Sequence, residues 1–334
     1  MPKTHLVPSG KTFASGNVST GIIAKSINAF WGVAFIMRFG IPRGKVYRFG
    51  GGLGDHLLVT TVFRELHIRR DSRSWMLSDF PDIFFRNNDV SRVVPDNWRS
   101  EKTCQKFGNS PRTLSYGKWI NDPDRIEPPQ KHIIAEILEC AGIRGKVDLR
   151  PYYPAVRTHS PEEHLLSDTI CIQGANTSSS TPMLNKQWSA DGFAEVGRLL
   201  SQQYRIVQLG LSGESDIPEA EDIRGKLNIF ETAEMLAKCR FFIGQVGFLM
   251  HLARAVGTRS IIVYGGREKA WQSGYPCNEN LETNPDCSPC WRNNGCELDR
   301  SCLSQISVDD VMKAIEKLQE RLSSPLETEV ATLS

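Results

Sequence analysis

The 334-residue chain has little net charge and no long apolar run. Forty lysines and arginines stand against 38 acidic residues, which gives a formal net charge of +2. This near-balance disfavours nucleic acid as the main partner and favours a small ligand. The apolar part of residues 22–38 is shorter than the roughly 20 residues of a membrane-spanning helix, so a transmembrane segment is also disfavoured.

The sequence shows no secretory signal, and its nine cysteines are an odd number. Scattered cysteines without such a signal are typical of a reducing compartment rather than of a disulfide framework. We therefore expect a cytoplasmic protein.

Residues 1–44 are predicted to form an N-terminal extension with a surface helix. One interpretation is an amphipathic helix that lies on an anionic membrane, assisted by the cations Lys25, Arg38, Arg43 and Lys45. This would place the protein peripherally at the inner face of the membrane. The other interpretation is a helix packed on the first domain or in an oligomer interface.

The remaining chain has the patterns of a two-domain α/β protein. Apolar residues make up 40% and charged residues 23%, which is ordinary globular composition. Strand and helix patterns alternate in both halves, over residues 45–155 and 165–322, and prolines punctuate the segment between them. We expect two Rossmann-like domains facing an interdomain cleft, an irregular excursion over residues 96–130, and a flexible tail over residues 323–334.

A glycine-rich loop at residues 50–54 joins the first strand to the first long helix and leads into Asp55. Its spacing is not that of a dinucleotide fingerprint, and the last residue of the second strand is not an acid that would hold a ribose, so a dehydrogenase is disfavoured. Asp55 has two interpretations that residue chemistry leaves open. It is either a helix N-cap or a general base at the mouth of the cleft.

Several motifs, in order, resemble glycosyltransferase family nine, the lipopolysaccharide heptosyltransferase family. The first is Gly54-Asp55-His56-Leu57-Leu58-Val59-Thr60-Thr61, and residues 80–90 resemble the segment after the second strand. Further matches follow at Gln173-Gly174-Ala175, at Lys186-Gln187-Trp188, over residues 222–227, and at Gly247 with His251-Leu252-Ala253. The resemblance runs from about residue 46 to residue 318.

The resemblance implies a GT-B fold and an inverting transfer of a sugar, heptose or a related one, from a nucleotide-diphosphate donor such as ADP-heptose. The acceptor would be a hydroxyl of a glycan, a lipid-linked glycan or a protein, and Asp55 would be the catalytic base. The acceptor site would include Gly52, Gly54 and His56. The donor site would include Lys186, Gln173, Thr177, Gln245, Gly247 and His251, with Lys186 meeting the diphosphate. The transfer itself needs no divalent ion.

Four of these residues depart from the family pattern or have a plain structural alternative. Gln245 stands where the family usually has an acidic residue, two positions before Gly247. His251 contacts the donor or is a histidine satisfied in the core. The alternative interpretation of Lys186 is a solvated lysine before a packed tryptophan, and that of Thr177 is a residue of an ordinary polar loop.

The late cysteine array predicts a structural metal site. Cys287, Cys290, Cys296 and Cys302 follow one another at short intervals in a turn-rich segment. Four thiolates suit tetrahedral zinc, or iron as the second choice, and leave no position open for chemistry. The alternative is that the cysteines pack as small hydrophobic residues.

Two other functions fit the same sequence. A catalytically silent GT-B module would bind a nucleotide sugar without transferring it. A nucleotide-sugar epimerase would consume the donor without an acceptor. A homo-oligomer is compatible with each of the three.

Overall fold

The computed structural model describes residues 31–69, 74–175 and 183–334. Its N-terminal half contains, in chain order, α1 (31–39), β1 (Lys45–Phe49), α2 (Leu53–Ile68), β2 (Ser74–Leu77), β3 (Arg92–Val94), α3 (Trp98–Lys106), β4 (Arg112–Leu114), β5 (Lys118–Trp119), β6 (Ile126–Glu127), α4 (Ile133–Cys140) and β7 (Gly145–Asp148). A 3-10 turn spans Pro81–Phe84.

The C-terminal half begins after a linker. It contains α5 (Pro161–Leu166), β8 (Thr169–Gln173), α6 (Ala190–Leu200), β9 (Arg205–Leu209), β10 (Glu221–Asp222), α7 (Ile229–Lys238), β11 (Phe242–Gln245), α8 (Phe248–Ala255), β12 (Ser260–Gly265), α9 (Ala270–Ser273), β13 (Glu279–Glu282), α10 (Ser301–Ser304), α11 (Val308–Glu320) and β14 (Val330–Leu333). A second 3-10 turn spans Leu184–Lys186.

Both halves are doubly wound parallel sheets. The strand order is β3-β2-β1-β4 in the first and β10-β9-β8-β11-β12-β13 in the second, and the neighbouring strands within each are parallel. The order reverses beside β1 in the first sheet and between β8 and β11 in the second. In such sheets ligands bind beyond the carboxyl ends of the strands at the reversal. The predicted α/β architecture is therefore confirmed.

The two halves share one apolar core. Side chains from α2 and α4 belong to the same buried cluster as those from α7 and α8. The start of α8 lies close to the start of α2: a Cβ built on Gly54 would be 3.5 Å from the Cα of Phe248. Two helix N-termini therefore meet where the two reversal points face each other.

The chain end does not behave as the predicted flexible tail. Residues Val330–Leu333 form β14, which pairs antiparallel with β7 of the other half, and Leu333 is buried. Glu327 is held by Arg259 at 2.7 Å and by Arg321 at 2.9 Å. The prediction of a flexible tail is wrong there because both strand pairing and ion pairs order the segment.

The excursion over residues 96–130 is also more regular than predicted. It contains α3, the β5–β6 hairpin and β4, which pairs with β1 in the main sheet. Asn97 caps α3 by accepting hydrogen bonds from the backbone N–H groups of Arg99 and Ser100, at 3.0 Å each. The prediction missed α3 because its inward side carries Ser100, Thr103 and Cys104 rather than an apolar stripe.

The described part of the N-terminal extension packs on the first domain. Phe35 of α1 is buried in a small core with β1, β2 and β3. None of the described helices has the length and apolar character needed to cross a bilayer. The helix predicted from residues 22–38 is described only from residue 31 onward.

Candidate active site

Asp55 lies just beyond β1, in the first turn of α2. Its Oδ2 accepts a hydrogen bond from the backbone N–H of Gly52 at 2.8 Å, and its Oδ1 accepts one from the Tyr116 hydroxyl at 2.7 Å. A Cβ on Gly51 would lie 2.3 Å from Oδ2, so the loop needs glycine there. The carboxylate thus belongs to the helix start, and a tyrosine from another segment also fixes its orientation.

Tyr116 is a site residue that sequence reasoning missed. Its ring lies between Phe49, with centroids 5.9 Å apart, and Trp291 of the other half, at 6.3 Å. Burial, followed by the charge of Asp55, raises the pKa of Tyr116 well above its usual value of 10. The hydroxyl therefore stays protonated and remains a hydrogen-bond donor to the carboxylate.

The predicted acceptor residues occupy different environments. Gly52 is exposed at the cleft, whereas Gly54 faces the start of α8. His56 is only 2% exposed, and its Nδ1 lies 2.9 Å from the Ser78 hydroxyl. Burial lowers the pKa of His56, so it is a neutral core histidine. Its predicted acceptor contact is not supported, because the ring points into the domain.

In the second half, Lys186 belongs to a buried charged cluster. Its Nζ lies 2.7 Å from Oε1 of Glu268, and the guanidinium of Arg267 lies 2.8 Å from the same oxygen. Burial lowers the pKa of Lys186, while the charges of Glu268 and Asp55 act in the opposite direction. Lys186 is therefore not a solvated lysine, and it lies within electrostatic range of Asp55.

The charge of Glu268 is fixed by its neighbours. Burial alone would favour its neutral form, but Lys186 and Arg267 outweigh that effect and lower its pKa to about 2. The cluster thus contains two cations and one anion, a net charge of one positive. Such a site suits an anionic group that enters the cleft.

Gln173 ends β8 at the reversal of the second sheet. Its Nε2 lies 3.3 and 3.4 Å from the two carboxyl oxygens of Glu214. Burial raises the pKa of Glu214 to about 7. Glu214 was not predicted from the sequence. In the structure Gly210 adopts φ +134°, and a Cβ built on it would lie 2.0 Å from a carboxyl oxygen of Glu214. The glycine at position 210 is therefore the one hint of this close approach that the sequence contains.

Gln245 ends β11 and holds the segment before α6. Its Oε1 accepts a hydrogen bond from the backbone N–H of Trp188 at 3.3 Å, and its Nε2 donates to Gln187 at 2.7 Å. Gly247, the N-cap of α8, has extended backbone, and a Cβ there would meet open space. The fold itself does not demand glycine at 247, which leaves room for a ligand to approach the helix N-terminus.

His251 is satisfied within the core. It is 5% exposed, and its Nδ1 lies 2.6 Å from the Tyr275 hydroxyl. Burial lowers its pKa to about 3, so the ring is neutral. These observations favour the structural interpretation over donor contact. Thr177, another predicted donor residue, lies outside the described residues.

The four cysteines of the late array gather in one loop. Burial raises the pKa of Cys302, and the thiols of Cys287, Cys290 and Cys296 raise it further. The structure does not, however, assemble the predicted metal site: within the described residues, no group of three or more histidine, cysteine or carboxylate side chains is arranged to hold a metal ion. The sulfur of Cys296 instead accepts a hydrogen bond from the Arg300 backbone N–H at 3.3 Å.

This cysteine loop is anchored on the other half of the molecule. The carboxylate of Asp124 accepts hydrogen bonds from the backbone N–H groups of Asn294 and Gly295, at 2.8 Å each. Its carbonyl accepts another from Asn293 at 2.8 Å. The loop also contains Trp291, whose ring contacts Tyr116. The predicted excursion and the predicted metal loop are therefore one interdomain contact.

The geometry defines a class: a two-domain α/β protein with a carboxylate at one reversal point and a positive cluster near the other. Residues 172–297 match the family model of glycosyltransferase family 9 (heptosyltransferase). No curated protein sequence matches the chain significantly. The resemblance inferred from the motifs is confirmed over the matched region.

Solved structures show the same fold. The iron-containing dodecameric glycosyltransferase TibC from enterotoxigenic E. coli is 19% identical, with a TM-score of 0.63 over 84% of this chain and 77% of TibC. A family 9 glycosyltransferase from Veillonella parvula is 15% identical, with a TM-score of 0.58 over 84% of this chain and 98% of that one. ADP-heptose lipopolysaccharide heptosyltransferase II from E. coli is 10% identical, with a TM-score of 0.57 over 83% and 99%. The fold is therefore GT-B.

Proposed function

We propose that the whole chain is an inverting glycosyltransferase that moves heptose or a related sugar from a nucleotide-diphosphate donor to a hydroxyl acceptor. The observation that carries the proposal is the pairing of Asp55, held by Tyr116 and Gly52, with the Lys186–Arg267–Glu268 cluster across the cleft. One half presents a base and the other a positive site for a leaving diphosphate. TibC, which shares the fold, has been solved with ADP-D-β-D-heptose, and this supports ADP-heptose as the first donor to test.

In the proposed reaction, the acceptor oxygen attacks the anomeric carbon from the side opposite the diphosphate. A new carbon–oxygen bond forms as the bond to the diphosphate breaks, and the configuration inverts. Asp55 takes the hydroxyl proton as the attack proceeds. Lys186, Arg267 and the N-terminal N–H groups of α8 stabilise the negative charge that develops on the leaving group, a role that these groups perform without a divalent ion.

The remaining donor and acceptor assignments rest on where each residue lies in the fold. Gln173, Gln245 and Gly247 lie at the strand ends where a donor would bind, and Gly52 lies beside Asp55 on the acceptor side. Glu214 joins Gln173 as a candidate for the hydroxyl groups of the donor.

The test is release of nucleoside diphosphate from a panel of nucleotide sugars, with and without acceptor glycans, lipid-linked glycans and proteins. Transfer predicts that release requires an acceptor and is lost in Asp55→Asn. Donor consumption without any acceptor would instead identify an epimerase. Tight donor binding with no consumption under any condition would identify a silent module.

We also propose a structural zinc or iron bound by Cys287, Cys290, Cys296 and Cys302. The support is that Cys290 and Cys296 lie close enough to Cys287 and Cys302 to raise the pKa of both, and that TibC is described as iron-containing. Metal binding would deprotonate the thiols and draw the sulfurs together. TibC is also dodecameric, and on this basis we propose a homo-oligomer, to be measured by light scattering. Separately, we propose a cytoplasmic location, to be measured by cell fractionation.

A further inference from the structure

The outer side of α1 and α3 carries an exposed cluster of large apolar residues. The six are Trp31, Val33, Met37, Ile41, Trp98 and Phe107, and each has between 41% and 83% of its surface exposed. The two helices form one surface: the Arg99 guanidinium lies 4.3 Å from the centre of the Trp31 ring. The Asn109 side chain also donates to the Pro42 carbonyl at 3.0 Å. A contiguous apolar patch of this kind marks an interaction site.

Exposed cations are interleaved with these apolar residues. They are Arg38, Arg43, Arg99, Lys102 and Lys106. Arg99 and Lys102 both lie over the Trp98 ring, with the guanidinium carbon and Nζ each 5.2 Å from its centre. We call these cations and the six apolar residues the basic aromatic face.

The acidic residues Asp96 and Glu101 lie beside this face and share one cation that does not belong to it. Asp96 and Glu101 both pair with Arg48, and the Arg48–Glu101 distance is 2.9 Å. The segment from residue 31 to residue 45 contains no acidic residue. Arg48 compensates only one of the two carboxylates, and the five cations of the face outnumber the single negative charge that remains. The face is therefore positive, although the whole chain carries only +2.

We propose that the basic aromatic face docks on an anionic phospholipid surface. Tryptophan is favoured at the headgroup level, short apolar side chains enter the acyl boundary, and lysine and arginine pair with lipid phosphates. A second copy of this chain fits less well. A twofold interface would place the same cations opposite one another, with no acidic residue of the face free to meet them.

The placement of the face leaves the cleft free for the reaction. In β1, Val46 packs with α1 on one side of the first sheet, whereas Tyr47 belongs to the core with α2, which carries Asp55. The face and the catalytic carboxylate thus lie on opposite sides of that sheet. Docking can therefore be tested independently of transferase activity.

The experiment is sedimentation of the full chain with phosphatidylcholine vesicles, with and without phosphatidylglycerol. The expected result is binding only to the anionic vesicles, weakened by salt. The double variant Arg99→Glu/Lys102→Glu should lower the apparent affinity by about tenfold or more, since each cation near an anionic surface contributes appreciably. Trp98→Ser should also weaken binding, with the salt dependence retained.

A matched charge reversal serves as the control. Lys238→Glu/Lys313→Glu makes the same change in net charge at exposed positions of the second half, and it should bind vesicles like the wild type. Equal loss in both double variants, or no anionic binding by a wild type whose melting is cooperative, would overturn the proposal. A wild-type dimer that Trp98→Ser dissociates, without vesicle binding, would overturn it in favour of a second copy. Turnover with a soluble acceptor should be unchanged in all these variants.

Discussion

Removal of the Tyr116 hydroxyl is the most direct test of how the cleft orients Asp55, the proposed base. Tyr116→Phe removes one oxygen and leaves the ring between Phe49 and Trp291. The lost bond is a 2.7 Å hydrogen bond to the Oδ1 of Asp55. The Gly52 N–H still binds Oδ2, so the carboxylate keeps one of its two donors.

The expected cost follows from the charge of the acceptor atom. A hydrogen bond to an ionised group contributes about 1.5–3 kcal/mol. A loss of about 2 kcal/mol corresponds to roughly thirtyfold in rate, because each 1.36 kcal/mol is a factor of ten. We expect this loss in kcat, with the donor KM little changed, because Tyr116 touches none of the proposed donor residues. A lone pair of Oδ1 remains for the acceptor proton, so the wild-type bond is compatible with catalysis.

The assay is steady-state release of nucleoside diphosphate, beside calorimetric titration of the donor. Tyr153→Phe is the matched control, since the same atom is removed from a buried tyrosine whose hydroxyl donates to the Asp82 carbonyl at 3.3 Å. Wild-type kcat in Tyr116→Phe would refute the positioning role. So would an equal fall in the control, or a change confined to donor affinity.

Four further predictions address the other parts of the site. Asp55→Asn should keep the fold and donor binding while losing transfer by about a hundredfold or more, and near-normal turnover would end its assignment as base. Lys186→Ala should weaken donor binding about tenfold and acceptor binding little, and unchanged donor affinity by calorimetry would reject its role. Burial raises the Glu214 pKa from 4.5 to about 7, so ionising this carboxyl costs stability as pH rises between those values. Glu214→Gln should therefore raise the melting temperature relative to wild type at pH about 8 but not at about 5, and an equal change at both would contradict the shift. Cys290→Ser should lower metal content and melting temperature, with activity falling indirectly, and metal-free wild type with four reactive thiols would contradict the metal proposal.

The parts of the fold that were predicted are those encoded by local periodicity. Each strand and the helix after it form a unit whose apolar spacing changes from two to about 3.6 within a few residues. This change located β1 and α2 on either side of the glycine-rich loop. The two reversal points depend on the order of the strands in each sheet, which only the structure gives. Helix caps are equally local: Ser189 and Ser307 each precede a helix and accept a hydrogen bond from a backbone N–H in its first turn.

The parts that were missed depend on contacts between distant residues. β4 is a three-residue polar strand that is recognisable only from its pairing with β1. β14 pairs with a strand more than 180 positions earlier in the chain. Tyr116 is 61 positions from Asp55, and no short pattern connects a loop tyrosine with a helix-start carboxylate. The burial of His56 was hidden for the same reason, because Ser78 and Phe80 that cover it follow a different strand.

Gln245 is neutral where the family usually has an acidic residue, and this difference is consistent with the net charge of the cleft. Gln245 holds the segment before α6 through two neutral hydrogen bonds, to the Trp188 N–H and the Gln187 amide. The carboxylate of this region is instead Glu268, which lies 2.7 Å from Lys186 and 2.8 Å from Arg267. One anion between two cations leaves a net positive charge of one, whereas an added carboxylate at 245 would reduce that sum to zero. Because the leaving diphosphate gains negative charge during transfer, a neutral side chain at 245 keeps the electrostatic stabilisation that the proposed reaction requires.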